Sequence, residues 1–167
     1  MELLVENSAL NIKQRIDLVK QALILSDIEL LDCSNKGEYF HEFLINYHCR
    51  RFSLNLFIKN IANSGWADKP YIKRIQVPSL LGKTIPKKGN DSISLFLGIA
   101  FVSGDPIFVA WNPFSYVYHK TNRSCYVLVQ SLANAFQCGL FKTVDCKKEV
   151  VLCTQSNFGR LIEICLE

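Results

Sequence analysis

The stretch Phe43-Leu-Ile-Asn-Tyr-His-Cys-Arg-Arg-Phe-Ser-Leu-Asn-Leu-Phe-Ile-Lys59 carries the fold in its periodicity. Phe43, Ile45 and Tyr47 alternate with Leu44, Asn46 and His48. Phe52, Leu54, Leu56 and Ile58 alternate with Ser53, Asn55, Phe57 and Lys59. A period of two sends successive side chains to opposite faces of a strand. Two such runs joined by the step Cys49-Arg50-Arg51 predict a β-hairpin, although the step lacks Gly or Asn.

Further strands are predicted on both sides. Residues 71–77 form a short one stopped by Pro78. Residues 93–102 form an uncharged, mainly apolar run of ten, which suits a buried central strand and is too short to span a membrane. A turn at Gly104-Asp105-Pro106 leads into a strand at 107–111, and 124–129 and 147–153 add two more. Helices are predicted at 8–25, 131–138 and from Thr154 to the end. Ser8 is the expected cap of the first, whose apolar stripe is Ile12, Ile16, Val19 and Leu23. Gly139 ends the second. Thr154 is the expected cap of the third, whose stripe is Phe158, Leu161, Ile162, Cys165 and Leu166. About eight short strands with two or three helices predict a mainly β, α+β chain in a closed or nearly closed barrel. With 167 residues, 49% hydrophobic and 20% charged, the chain is read as one globular domain, residues 1–167.

The net charge of +4 hides a sharp partition. Residues 1–42 sum to −4, residues 43–144 to +9 and residues 145–167 to −1. Within the middle segment, 69–90 holds six bases and no acid, and 106–144 also holds no acid. A one-sign field over a single stretch is the footprint of a polyanion partner. The seven cysteines are odd in number, form no C-x-x-C pair and mostly sit in apolar runs. That usage fits a reducing compartment, and the acids Glu2 and Glu6 stand where a secretory signal carries bases, so the expectation is a cytoplasmic protein without a membrane partner.

Catalytic motifs are looked for without result. Gly82-Lys83-Thr84 lacks the first glycine of a phosphate-binding loop, where Val77 stands, and Pro86 forbids the helix such a loop needs. His41, His48 and Cys49 do not have zinc-ligand spacing. Asp68, Asp91 and Asp105 sit in separate turn contexts rather than in a metal-dependent nuclease cluster. The expectation is a binding domain that is not an enzyme and holds no cofactor or metal.

Two loops offer the matching chemistry. The first carries Asn63, Ser64, Trp66, Lys69, Tyr71, Lys73, Arg74 and Gln76. The second carries Asn112, Ser115, Tyr116, Tyr118, His119, Lys120, Asn122, Arg123 and Ser124. Lys and Arg neutralise phosphates, Arg pairs twice with guanine, and Asn or Gln pairs twice with adenine. Each residue also has a plainer reading: Trp66 as a loop anchor, Tyr116 and Tyr118 as packing, Asn112-Pro113 as a turn.

The string Asn60-Ile-Ala-Asn-Ser-Gly-Trp-Ala-Asp-Lys-Pro-Tyr-Ile-Lys-Arg-Ile-Gln-Val-Pro78 resembles the first DNA-gripping arm of the DNA-binding pseudobarrels of restriction endonucleases. Phe96-Leu-Gly-Ile99, Ile107-Phe-Val-Ala-Trp-Asn-Pro113 and Asn122-Arg-Ser-Cys-Tyr-Val127 resemble the second arm and its flanking strands. This is the B-three fold, shared with plant transcription factors, and the similarity is greatest to the N-terminal domain of LlaJI-type enzymes of the McrBC-like class. The resemblance covers residues 40–166. It implies an open pseudobarrel of seven or eight strands at 26–167, behind an N-terminal helix at 1–25. The arms, at about 60–73 and 112–123, would enter the major groove of double-stranded DNA. Trp66 and Lys69 stand where several family arms carry more Arg. The resemblance also implies a longer restriction-enzyme subunit, with a fused AAA+ GTPase region and a separate nuclease subunit as partners.

The expected backbone-positioning residues are Lys69, Lys73, Lys83, Lys87, Lys88, Arg50 and Arg51. The expected base readers are Asn63, Ser64, Trp66, Tyr116, Tyr118, His119, Asn122 and Arg123, with Tyr71, Arg74, Gln76, Ser115 and Lys120 completing the DNA-binding set. The alternatives are a small nucleic-acid-processing hydrolase, an RNA-binding barrel and a protein-interaction module.

Overall fold

The structure, a computed structural model, describes residues 3–79, 85–86, 89–116 and 123–167. Among them are eleven strands and three α-helices, in the order β1 (Val5–Asn7), α1 (Ile12–Leu25), β2 (Glu29–Lys36), β3 (Phe40–Tyr47), β4 (Arg50–Asn60), β5 (Ala62–Asn63), β6 (Ile72–Val77), β7 (Ser92–Val102), β8 (Asp105–Trp111), β9 (Arg123–Leu128), α2 (Val129–Cys138), β10 (Leu140–Asp145), β11 (Lys148–Thr154) and α3 (Phe158–Leu166). The large sheet runs β10-β11-β8-β7-β4-β3-β2, with β1 paired to the far half of β7. The small sheet runs β5-β6-β9. The fold is mainly β, an open α+β pseudobarrel. Among the described residues the sheets do not close into the barrel that strand number alone suggests.

The large sheet is covered on both faces, which explains the long apolar run in β7. Ile93, Leu95, Leu97 and Ile99 join Leu54, Leu56 and Ile58 of β4 in one core with Val19, Ala22 and Leu23 of α1 and Phe158, Leu161 and Ile162 of α3. Phe96, Ala100 and Val102 face the other way, into a second core with Ile75 and Val77 of β6, Cys125 and Val127 of β9 and Leu132 and Ala135 of α2. The alternation in β4 holds as read, and Phe57 and Phe96 meet edge to face in the second core, 5.6 Å apart.

β4 and β7 are parallel, Phe57 opposite Phe96, so the chain must cross over between them. The crossover contains β5 and β6, which is how the small sheet comes to lie on the second face. At the seam, a Cβ on Gly98 would sit 2.8 Å from Ile61 Cγ1 and 3.0 Å from the Trp111 ring. Glycine is what lets the corner of the crossover and the indole approach the central strand together.

Three connections differ from the sequence reading. The β3–β4 turn is His48-Cys49, not Cys49-Arg50-Arg51, with Tyr47 opposite Arg50 and both φ positive, 48° and 63°. Ser103-Gly104 and Cys146-Lys147 turn in the same way. Positive φ at both central residues matches the right-handed twist of the strands, and the hairpin geometry prevails over the preference for Gly or Asn. Asp105 and Pro106 therefore belong to β8, not to a turn. Four strands, β1, β2, β5 and β10, do not show in the sequence pattern; β1 and β5 are only three and two residues long. β2 is an edge strand with a bulge between Leu30 and Asp32, and most of its residues are exposed. β10 inverts the usual polarity: Asp145 is buried and accepts the Leu128 N–H at 2.9 Å, while Val144 is exposed.

The first helix starts later than read. Asn11, not Ser8, is its cap, in a reciprocal capping box with Gln14. Ser8 instead donates its hydroxyl to Asn60 Oδ1 and its N–H to the Ile61 carbonyl. Thr154 makes no side-chain capping bond; a 3-10 turn at Gln155–Asn157 precedes α3, and Ser26 Oγ accepts the Gly159 N–H at 3.1 Å. No helix among the described residues is long and apolar enough to cross a membrane.

Gly98→Ala is expected to destabilise the fold by about 1–3 kcal/mol, the usual cost of overpacking a filled core. Urea denaturation followed by tryptophan fluorescence measures it.

Candidate nucleic-acid interface

The small sheet has an inner and an outer face. Ile75, Val77, Cys125 and Val127 point into the second core. Arg74, Gln76, Ser124 and Tyr126 point the other way, with Arg74 opposite Tyr126 and Gln76 opposite Ser124. Arg74 Nη1 donates to Ser124 Oγ at 3.2 Å, so the guanidinium is held across the sheet. β5, β6 and β9 carry Lys73, Arg74 and Arg123 and no acid.

The loop between β5 and β6 is built on this face. Trp66 stacks on Tyr126, with ring centroids 4.9 Å apart and planes 20° apart. Lys69 Nζ lies 5.2 Å from the Trp66 ring centroid, and the Lys69 N–H donates to the Trp66 carbonyl at 3.0 Å. Ser64 Oγ accepts the Trp66 N–H at 3.2 Å. Gly65 has φ +89°, and a Cβ there would lie 3.3 Å from Arg74 Nη2. The positive φ favours glycine at this position, and a Cβ there would press on the Arg74 guanidinium. Asn63 Oδ1 accepts from Lys73 Nζ at 2.7 Å and from Asn7 Nδ2 at 3.1 Å. Partial burial pushes the Lys73 ammonium below its ordinary value. Tyr71 and Gln76 are exposed, and Ser64 is buried.

The second loop is seen at its two ends. Asn112 accepts the Phe114 N–H on its side chain at 3.0 Å and the Ser115 N–H on its carbonyl at 3.1 Å, the turn foreseen at Asn112-Pro113. Tyr116 is buried against Phe96 and shares a hydrogen bond with Cys125. Burial raises the pKa of the Tyr116 phenol and pushes the Cys125 thiol up to about 12. A tyrosine so enclosed is a packing residue. Lys148, absent from the sequence-derived set, donates to the Ser115 carbonyl at 3.1 Å and lies 5.3 Å from the Tyr116 ring centroid. Arg123 is exposed at the start of β9. Tyr118, His119, Lys120 and Asn122 lie outside the described residues, as do Lys83, Lys87 and Lys88.

Arg50 and Arg51 stand apart. They open β4, and at about 3.3 Å per residue its far end at Asn60 is roughly 30 Å away. Arg50 Nη1 pairs there with Asp91 Oδ1 at 3.2 Å. Among the described residues no three His, Cys, Asp or Glu side chains come together in a way that could hold a metal.

The geometry defines a β-rich domain that presents one basic, amide-bearing face on a rigid sheet. The family model described as Methylase-associated X1 matches residues 52–162, and the chain belongs to this family, which is linked to restriction-modification systems. No curated protein and no solved structure matches the chain.

Trp66→Ala removes a ring pair worth about 0.5–1.5 kcal/mol beyond its buried area. Amide hydrogen exchange is expected to accelerate through residues 64–71 while β7 keeps its protection.

Proposed function

We propose that this chain binds double-stranded DNA at a specific site, as the target-recognition domain of a restriction-modification protein. The observation that carries the reading is the outer face of the small sheet. There Arg74, Gln76 and Ser124 lie side by side on paired strands that carry no acid, while Lys73 and Arg123, opposite Val127 and Val77, stand at the two ends of the pairing with the other parity. Bases supply sequence-independent affinity for the phosphates, and Arg and Gln carry the two-point donor and acceptor geometry that distinguishes base edges in the major groove. The Trp66–Tyr126 stack supports the reading by giving the first arm a fixed platform, since a preordered loop loses less entropy on binding.

The two arms would lie in the groove, the first at 60–73 and the second at 112–123, with Lys83, Lys87 and Lys88 on the backbone. The domain itself would bind and not cut. Cleavage would belong to a GTP-driven AAA+ region on the same polypeptide and a separate nuclease subunit, in the cytoplasm. The family description, Methylase-associated X1, favours a second choice of partner, a DNA methyltransferase sharing the same target. The interface proposed here serves either partner.

Selection from a randomised duplex pool at two salt concentrations tests the reading. A single enriched sequence is expected, with affinity falling as salt rises by about 0.9 logarithmic units per neutralised phosphate. Gln76→Ala or Arg123→Ala should relax one position of that sequence at a cost of about 1–3 kcal/mol, whereas Lys87→Ala should weaken all sequences alike. Failure to bind duplex, or stronger binding to single-stranded RNA in competition, overturns the reading.

A further inference from the structure

The corner where β4 leaves the large sheet holds a second concentration of charge. Asn60 pins the N-terminal segment there: its Oδ1 accepts from the Ser8 hydroxyl and the Leu10 N–H, and its Nδ2 donates to the Leu10 carbonyl at 2.8 Å. These bonds bring α1 beside the small sheet. Between them opens a cleft of about 240 Å³ lined by Arg15, Lys59, Asn60, Asn63, Arg74 and Gln76, with no carboxylate in the lining. That volume is several times the ~30 Å³ share of one water in the liquid.

Arg15 is the unusual member. Its Nη1 donates to the Leu10 carbonyl at 2.8 Å, but its Nε is buried and has no hydrogen-bond partner. A buried donor left unpaired is costly, and more so on a charged group. Burial also pushes the Arg15 pKa down. The neighbouring titratable group gives no relief, since burial and then the charge of Arg15 hold the His41 pKa below its ordinary value. Three cations around an acid-free cleft are the arrangement an oxyanion would complete.

We propose that this cleft is a phosphate site, in which Arg15 of α1 and Lys59 hold one phosphodiester group of the DNA backbone beside Arg74 and the first arm. The proposal rests on the duplex-binding reading. It adds a contact from α1, a helix that precedes residues 52–162, where the family similarity lies. Its role is to fix register: a phosphate held at the β4–β5 corner orients the duplex over Arg74 and Gln76 without reading a base.

The test measures duplex affinity against salt for the wild type, Arg15→Gln and Lys59→Gln, with thermal melting as the check on folding. Each variant is expected to weaken binding to all sequences alike and to lower the slope of log affinity on log salt, by at most about 0.9 for the one phosphate they share. Lys59 is exposed, so its variant keeps the test valid even if Arg15→Gln fails to fold. Unchanged slopes would overturn the proposal and leave duplex binding intact. Should the wild type bind no duplex, the functional reading falls, and the Arg15 Nε–H resonance during titration with inorganic phosphate decides the site separately. A saturating shift upholds a phosphate site for another ligand; no shift overturns it.

Discussion

The approach of Ile61 and Trp111 to the bare backbone of Gly98 is the contact on which the rest of the molecule depends. The Ile61 N–H donates to the Ile99 carbonyl at 2.9 Å, so the chain leaving β4 stays bonded to β7 for one more residue before it turns into β5. Trp111 Nε1 donates to the Tyr126 carbonyl at 3.1 Å, which ties β9 to the end of β8. Both outer strands of the small sheet are thus held to the large sheet at the same seam. A side chain at residue 98 would push them apart and take the second core with them.

From that seam the placement of the polar face follows. With Ile75, Val77, Cys125 and Val127 committed to the core, a period of two leaves Arg74, Gln76, Ser124 and Tyr126 facing outward. Tyr126 then receives Trp66, and the loop that carries Lys69 is fixed by its own indole rather than left free. The same corner fixes α1, because the Asn60 side chain is spent on Ser8 and Leu10. Sheet, loop and helix converge on one region, and that region is rich in base.

How much of this was legible in the sequence depended on whether one residue's environment could be read from its neighbours. The strands around Phe52–Ile58 and Ile93–Val102 were legible because apolar and polar residues follow burial there. β10 was not, because Asp145 is buried by a backbone N–H from β9, a partner 17 residues away. β2 was not, because an exposed edge strand has no buried face to impose a pattern. The polar loop entering an Arg-Ile-Gln strand was legible, and Arg74 and Gln76 lie on the outer face of that strand. Tyr116 looked equally exposed in sequence, yet Phe96 and Cys125 enclose it. Arg15 was missed for a different reason. It belongs to a segment whose net charge is −4, and summing charge along the chain hides a single base that the fold carries into a basic cleft. Arg50 and Arg51 stand at the opposite end of β4 from the small sheet, a separation that charge summed along the sequence does not show.

On the proposed function, one face, built from the outer side of the small sheet and the adjoining α1 cleft, meets the nucleic acid. Backbone and side-chain NMR shifts of the domain, mapped on addition of a selected duplex, test it most directly. The largest changes are expected at Arg15, Lys59, residues 62–76 and residues 123–126, with α3 and the His48-Cys49 turn unaffected. Changes concentrated on α3 or along the β2 edge, with the small sheet silent, would contradict it.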